Sequence, residues 1–177
     1  MMKLKEYSIP FSGLKQGKHS FEYNIDNKFF ESFEYNEFND ANIHIEVQLN
    51  KMSTMLELEM KAEGTVNVFC DVSSEAYDQP INSTLELVVK FGEEYNDENE
   101  EILIIPHGEH QVNISQYLYE MLVLAVPSKR IHPGVLDGTL RSKAVDKLQE
   151  LQPKEEKENK EDIDPRWDAL KKLITDK

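Results

Sequence analysis

The chain has 177 residues, of which 39% are hydrophobic, so it suits one domain of ordinary size with a small appendage. Lys and Arg number 20 against 34 acidic residues, which gives a formal net charge of −14. This surplus repels phosphate backbones and argues against broad nonspecific nucleic-acid binding, whereas it favours basic partners. The single cysteine, Cys70, excludes an intramolecular disulfide and a zinc site built from several thiolates. No apolar run has the length of a signal peptide or a membrane span, so we expect a cytoplasmic protein without a membrane partner.

The first two-thirds of the chain reads mainly as strands. Apolar and polar residues alternate, as in half-buried strands, over residues 21–25, 43–49, 55–60, 66–70, 81–91 and 102–105. Gly64 predicts a bend or bulge between two of these segments. Residues 28–33 predict a short helical turn. Short connections favour an antiparallel meander or an open, barrel-like sheet, so the predicted class is α+β.

An acidic segment, residues 93–101, carries six acids among nine residues. Like charges at this density resist packing, which favours a solvated, mobile loop. A docking site for a basic partner is the alternative. The spacing lacks the glycine and the alternating ligands of an EF-hand calcium loop.

One or two helices are predicted to cover the sheet. The first spans residues 114–125, with Asn113 as its cap, Gln116 completing a capping box, and Pro127 ending it. The second spans residues 139–151. Its predicted apolar face consists of Leu140, Ala144, Leu148 and Leu151.

The C-terminal part divides by composition. We predict a β-rich domain with its covering helices over residues 1–151, a charged flexible linker over 152–163, and a helix over 164–177. Asp164 is a good N-cap, and proline is favoured at the first helical position. A helix this short is marginal alone in water, so it needs a surface to pack on. Its candidate docking residues are Pro165, Arg166, Trp167, Leu170 and Ile174.

Catalytic chemistry finds little support in the sequence. No glycine-rich phosphate loop, GxSxG elbow or HExxH motif is present. His107, His110 and His132 could supply three metal ligands, but solvated loop histidines are the simpler interpretation. Cys70 ends a strand and reads as a small apolar residue rather than a nucleophile. We therefore predict no catalytic residue, metal, cofactor or small-molecule substrate.

Three stretches resemble a known family, in the order expected for it. They are residues 64–71, with the sequence GTVNVFCD, residues 112–127, which end in Leu-Ala-Val-Pro, and residues 164–173, with the sequence DPRWDALKKL. The chain resembles the YceD-like family of large-subunit ribosomal RNA accumulation proteins. The resemblance implies a role in the accumulation or processing of that RNA, and it carries no catalytic residues with it. Many members have a second cysteine three residues after the first, where this chain has Ser73. Some have a cysteine-rich zinc segment, whereas residues 128–151 contain no cysteine, so no metal role is transferred.

The leading hypothesis is a non-enzymatic factor in ribosome biogenesis that binds large-subunit ribosomal RNA, a ribosomal protein or an assembly factor. A locally basic stretch supplies the candidate contacts, because arginine forks bind phosphate well. The same charges could instead balance nearby acids. The candidates are Lys129, Arg130, His132, Arg141, Lys143 and Lys147. An RNA-processing enzyme of the ribonuclease kind and a general protein-interaction module are the alternative functions.

Overall fold

The computed structural model describes residues 4–99, 101–140 and 143–151, except for the side chains of residues 143, 148 and 149. Contacts divide the chain into units 1–140 and 141–177, each considered by itself. The second unit contributes one described helix, α4 (Lys143–Leu151). The first contains, in chain order, β1 (Ser8–Pro10), β2 (Gly17–Ile25), α1 (Asn27–Glu31), β3 (Asp40–Lys51), β4 (Met55–Phe69), β5 (Ala76–Gly92), β6 (Asn96–Asn99), β7 (Ile102–Pro106), β8 (Gln111–Asn113), α2 (Ser115–Ala125) and α3 (Pro133–Leu136).

Six strands form one open sheet in the order β2-β3-β4-β5-β7-β6, and β1 pairs with β8 in a separate two-stranded sheet. The predicted α+β class and open sheet are confirmed. Strands β2 to β5 make the predicted antiparallel meander. Strand β7 departs from it, because it pairs parallel to β5, and β6 closes the edge antiparallel to β7.

The sheet has one apolar face and one polar face, as strict alternation requires. Strand β3 is the clearest case: Ile43, Ile45, Val47 and Leu49 are buried, and the residues between them are exposed. Helix α2 contacts β5, and its Leu118 and Leu122 belong to the same buried cluster as the apolar strand residues. Burying each large side chain contributes about 1.5–3 kcal/mol before entropy is subtracted. The core therefore lies on the α2 side of the sheet.

Gly64 does not interrupt a strand. Instead, β4 runs unbroken through it, paired with Ile43 of β3 and Ile81 of β5. A Cβ atom at this position would collide with backbone atoms of β3, since it would lie 2.7 Å from the Ile43 Cα. The predicted bend is therefore wrong. The glycine allows two strands to approach closely.

Part of the acidic segment is ordered as a strand rather than a loop. Residues Asn96–Asn99 form β6, whose four side chains are all exposed. Asparagine side chains support the neighbouring turn, because Asn99 Oδ1 accepts hydrogen bonds from the N–H groups of Glu101 and Ile102 at 2.9 and 3.1 Å. At the edge of the sheet, these residues pair through their backbone while their side chains stay in solvent. Their charge is therefore compatible with a strand.

Helix α2 begins without the predicted capping box. The residue before the helix is Ile114, which has no capping side chain. Asn113 belongs to β8; its Oδ1 accepts hydrogen bonds from Ser115, and its Nδ2 donates to the Leu4 carbonyl at 2.7 Å. Gln116 donates to Glu120 instead. Asn113 thus ties the N-terminal segment to the start of α2.

The second predicted helix, over residues 139–151, begins later than predicted. Helix α4 starts only at Lys143, and the short helix α3, Pro133–Leu136, precedes the predicted range. Thr139 lies in the intervening turn, where its N–H and hydroxyl both donate to Asp137 Oδ1. In α4, Ala144 and Leu151 are exposed and Val145 is buried. Leu140 precedes α4 and the Leu148 side chain lies outside the described residues, so the predicted apolar face stays a prediction.

Candidate functional site

The single cysteine, Cys70, lies at the start of a tight turn between the two longest strands. Residues 70–75, called here the Cys70 turn, connect β4 to β5. The Ser74 N–H donates to the Cys70 carbonyl, and the Cys70 N–H donates to the Glu75 carbonyl, both at 2.9 Å. Ser74 adopts a left-handed backbone with φ of 59°, which lets the chain reverse in so few residues. The turn places the Cys70 side chain inward.

Three backbone N–H groups point at the buried sulfur of Cys70. The Sγ accepts hydrogen bonds from Val72 and Ser73, each at 3.4 Å, and from His132 at 3.2 Å. Burial alone raises the pKa of the thiol. The hydrogen bonds from the His132 N–H, the Ser73 hydroxyl and N–H, and the Val72 N–H oppose burial and lower the pKa to about 7. The sulfur is thus an acceptor in a polar cage, which goes beyond the small apolar residue predicted from sequence.

Arg130 joins three segments that are far apart in sequence. The Asp71 N–H donates to the Arg130 carbonyl at 2.8 Å, and the Arg130 N–H donates to Asp71 Oδ2 at 2.7 Å. The guanidinium lies 3.3 Å from Glu37 Oε2 through Nη1 and 3.6 Å from Asp71 Oδ1 through Nε. We call this the Arg130 clamp. It holds the segment after α2 against the Cys70 turn and the loop before β3.

His132 extends the same cluster. Its Nδ1 accepts a hydrogen bond from the Gly134 N–H at 2.9 Å and so caps α3. An accepting Nδ1 places the proton of the neutral ring on Nε2. The ring packs edge-on against Tyr77, with centroids 5.3 Å apart. Burial raises the pKa of Tyr77, and the nearby Cys70 and Asp71 raise it further, against the opposing charge of Arg130.

The predicted contact residues are distributed over both units. Lys129 is exposed beside the Arg130 clamp, whereas Arg130 is engaged in its ion pairs and His132 is half-buried. Lys147 is exposed on α4, which Lys143 begins. Arg141 and the side chain of Lys143 lie outside the described residues. So do the charged linker and the docking residues Pro165, Arg166, Trp167, Leu170 and Ile174.

The histidines predicted as a weak metal set occupy different surroundings. His107 is exposed and stacks on Phe91, with ring centroids 6.4 Å apart. His110 is exposed, and its carbonyl accepts from Phe11 and Ser12. Within the described ranges, no three His, Cys, Asp or Glu side chains are grouped so that they could hold a metal ion.

The polar face of the sheet is a surface that sequence reasoning did not assemble. The side chains between the buried ones on β2 to β5 include eight carboxylates and three lysines on a single face, called here the outer face. A depression of about 410 Å³ lies on it, lined by Lys18, Asn50, Glu57, Glu59 and Glu86, among others. The carboxylates are Glu22, Asp40, Glu46, Glu57, Glu59, Glu63, Asp78 and Glu86, and the lysines are Lys18, Lys61 and Lys90.

A second hollow, of about 530 Å³, lies between α2 and β5. Tyr117, Met121 and Leu124 line it, and Leu124 is 83% exposed. Burial raises the pKa of Tyr117 to about 12, helped by the nearby Tyr95 hydroxyl and the Asp97 and Glu120 carboxylates. This hollow is apolar, in contrast to the outer face.

Among the helices in the described part of the chain, none is long and apolar enough to cross a membrane. Searches of the curated proteins and of the solved structures found no match. The model of one family, described as large ribosomal RNA subunit accumulation protein YceD, matches residues 58–174. The match takes in the Cys70 turn, α2, and Asp71 and Arg130 of the clamp but not Glu37, and it covers well over half of the chain. The chain therefore belongs to the YceD family of large ribosomal RNA subunit accumulation proteins.

Proposed function

We propose that this protein is a non-enzymatic cytoplasmic factor that supports the accumulation of large-subunit ribosomal RNA by binding a component of the assembling subunit. The observation that carries the proposal is the family match over residues 58–174, which includes the Cys70 turn and Arg130. Family membership indicates the process, which is the accumulation of large-subunit ribosomal RNA. The Cys70 turn and the charged surfaces support a binding role in that process.

The polar groups of the Cys70 turn are used to hold the structure together. The sulfur accepts three backbone hydrogen bonds, Asp71 and Glu37 pair with Arg130, and His132 caps α3. The Cys70 sulfur is buried and Arg130 and His132 are half-buried, and such polar groups are costly when unpaired, whereas Asp71 and Glu37 pair with Arg130 from the surface. This network supports a structural role for the turn in a binding protein.

Two kinds of partner fit different surfaces. RNA would meet the exposed Lys129 next to the clamp, since lysine contacts phosphate as a point charge. A basic protein would meet carboxylates, which the outer face holds in excess over lysines. The formal charge of −14 favours a ribosomal protein or an assembly factor over RNA as the principal partner.

The process is tested by depleting the protein from cells and measuring mature large-subunit RNA relative to small-subunit RNA. We expect large-subunit RNA to fall while small-subunit RNA is maintained. Unchanged RNA levels would overturn the proposal and favour a general interaction module.

The non-enzymatic part is tested separately. Purified full-length protein is incubated with precursor ribosomal RNA and Mg²⁺, and the RNA is analysed for new ends. We expect no specific cleavage. Specific cleavage by wild-type protein, absent from a mock preparation, would establish the ribonuclease alternative instead.

A further inference from the structure

We propose that the outer face of the sheet is a docking surface for an extended, Lys- and Arg-rich polypeptide segment of a partner protein. This inference deepens the proposed function and rests on it for the identity of the process. It states where the partner binds and that the partner is basic. The outer face carries eight carboxylates and three lysines on β2 to β5.

Strand register brings the carboxylates together. Glu22 on β2 lies directly opposite Glu46 on β3, and Glu59 on β4 lies directly opposite Glu86 on β5. Residues paired in this way have Cβ atoms about 4.5–5.5 Å apart, and like charges in that position are destabilising. The sheet therefore holds two repulsive pairs on the face away from its core. A cationic ligand would relieve both of them.

The protein's own cations do not neutralise this surface. Lys61 contacts Glu59 at 2.7 Å and lies directly opposite Glu46, so this one cation is shared by two carboxylates. Glu46 also has His44 Nε2 at 3.9 Å, and Glu59 faces Glu86 across the strands. Glu57 is held by a hydrogen bond from Asn50 Nδ2 at 3.0 Å, which leaves its charge in place. An excess of carboxylates attracts a basic segment and repels a phosphate backbone. The charge therefore selects a protein segment over RNA at this face.

Shape points to an extended occupant. The depression of about 410 Å³ opens across the same strands that bring Glu59 and Glu86 together. One end of the face is partly apolar, because Val88, Ile102 and Ile104 alternate outward there and are half-buried. A segment lying across the strands would place basic side chains over the carboxylates and its aliphatic stems over this apolar end.

The test compares two variants with the same change in net charge. In the face variant, four outward carboxylates are replaced: Glu22→Gln, Glu46→Gln, Glu59→Gln and Glu86→Gln. In the control variant, four exposed carboxylates of the acidic segment are replaced: Glu93→Gln, Glu94→Gln, Glu98→Gln and Glu101→Gln. The probe is a fluorescein-labelled peptide of alternating lysine and alanine, titrated with full-length protein at about 0.1 M salt, where exposed charges act over about 10 Å.

We expect the face variant to bind the peptide at least about tenfold more weakly than wild type, because four exposed ion pairs at about 0.2–1 kcal/mol each are lost. The control variant should keep wild-type affinity within about twofold. Equal losses in both variants would show attraction to overall charge, and a larger loss in the control would move the site to the acidic segment. Either result overturns the proposal, as does the absence of peptide binding to wild type.

Three further measurements keep the result interpretable. Thermal unfolding checks that the face variant is folded; if it is not, the double variant Glu22→Gln, Glu86→Gln replaces it, with about a threefold loss expected from two exposed pairs. A single-stranded fragment of large-subunit ribosomal RNA serves as a second probe, and binding of RNA that is lost in the face variant would contradict the proposal. If depletion lowers large-subunit RNA and the face variant restores it fully, the inference fails while the proposed function stands.

Discussion

Polar groups are paired within the protein at the Cys70 turn, whereas carboxylates are in excess on the outer face. At the turn, Asp71 and Glu37 each pair with Arg130, and the buried sulfur of Cys70 accepts hydrogen bonds from three N–H groups. On the outer face, carboxylates oppose carboxylates across neighbouring strands. Charges that are satisfied within the protein stabilise its fold, and charges left in excess on an exposed face remain for a partner.

The largest expected effect is at the sulfur. Cys70→Ala leaves the N–H groups of Val72, Ser73 and His132 without their acceptor, and it removes a buried side chain. We expect the free energy of unfolding to fall by about 3 kcal/mol. Urea denaturation measures it. A loss below about 0.5 kcal/mol, typical of surface changes, would mean that the cage is not stabilising.

The pH dependence of the unfolding free energy shows whether Cys70 is a thiolate or a neutral thiol in the folded protein. The pKa of Cys70 is about 7 in the folded protein and 9.0 for an unperturbed thiol. The unfolded chain thus binds more protons between these values, so the contribution of the thiolate is complete above pH about 9 and is lost as the pH falls through about 7. The charged and titratable groups around this site are His132, whose N–H donates to the sulfur, Tyr77, and Asp71 beside Tyr77.

We therefore expect the difference in unfolding free energy between wild type and Cys70→Ala to grow by about 2 kcal/mol as the pH rises from about 7 to about 9. Subtracting the two proteins removes the titration of all other groups. Denaturation at several pH values measures the difference. A difference that stays flat would show that Cys70 is a neutral thiol throughout this range.

A comparison of Arg130 with Lys129 tests whether the charge of Arg130 stabilises the fold or is free to contact RNA. Arg130→Gln removes the ion pairs with Glu37 and Asp71, and Lys129→Gln removes an exposed charge next to it. We expect Arg130→Gln to lower the unfolding free energy by about 1 kcal/mol and Lys129→Gln to change it by less than about 0.5 kcal/mol. Equal stabilities would return Arg130 to the set of free contact residues.

The smallest expected effect has the opposite sign. Glu22→Gln removes the repulsion with Glu46 directly across the strands and should raise the unfolding free energy by about 0.3 kcal/mol. Glu93→Gln, on the exposed acidic segment, is the matched control and should be neutral. Paired urea titrations in low salt resolve the sign. A loss of stability in Glu22→Gln would show that this carboxylate has a favourable partner within the fold.

Local patterns predicted the strands well, because alternation records which side chains face the core. The same alternation placed Glu57 and Glu59 on one face of a strand, but the opposition of Glu59 to Glu86 depends on register between strands, which no single segment encodes. Asn113 fits a capping box by spacing alone, yet its amide reaches the Leu4 carbonyl, more than a hundred positions earlier. The Arg130 clamp was missed for the same reason, since Glu37, Asp71 and Arg130 meet only after folding.

The most direct test asks whether the outer face is needed for large-subunit RNA to accumulate in cells. Cells depleted of the protein are supplied with wild type, the face variant or the control variant at matched protein levels, and mature large-subunit RNA is quantified relative to small-subunit RNA. The account predicts that wild type and the control variant restore large-subunit RNA, whereas the face variant does not. Equal restoration by the face and control variants would contradict it.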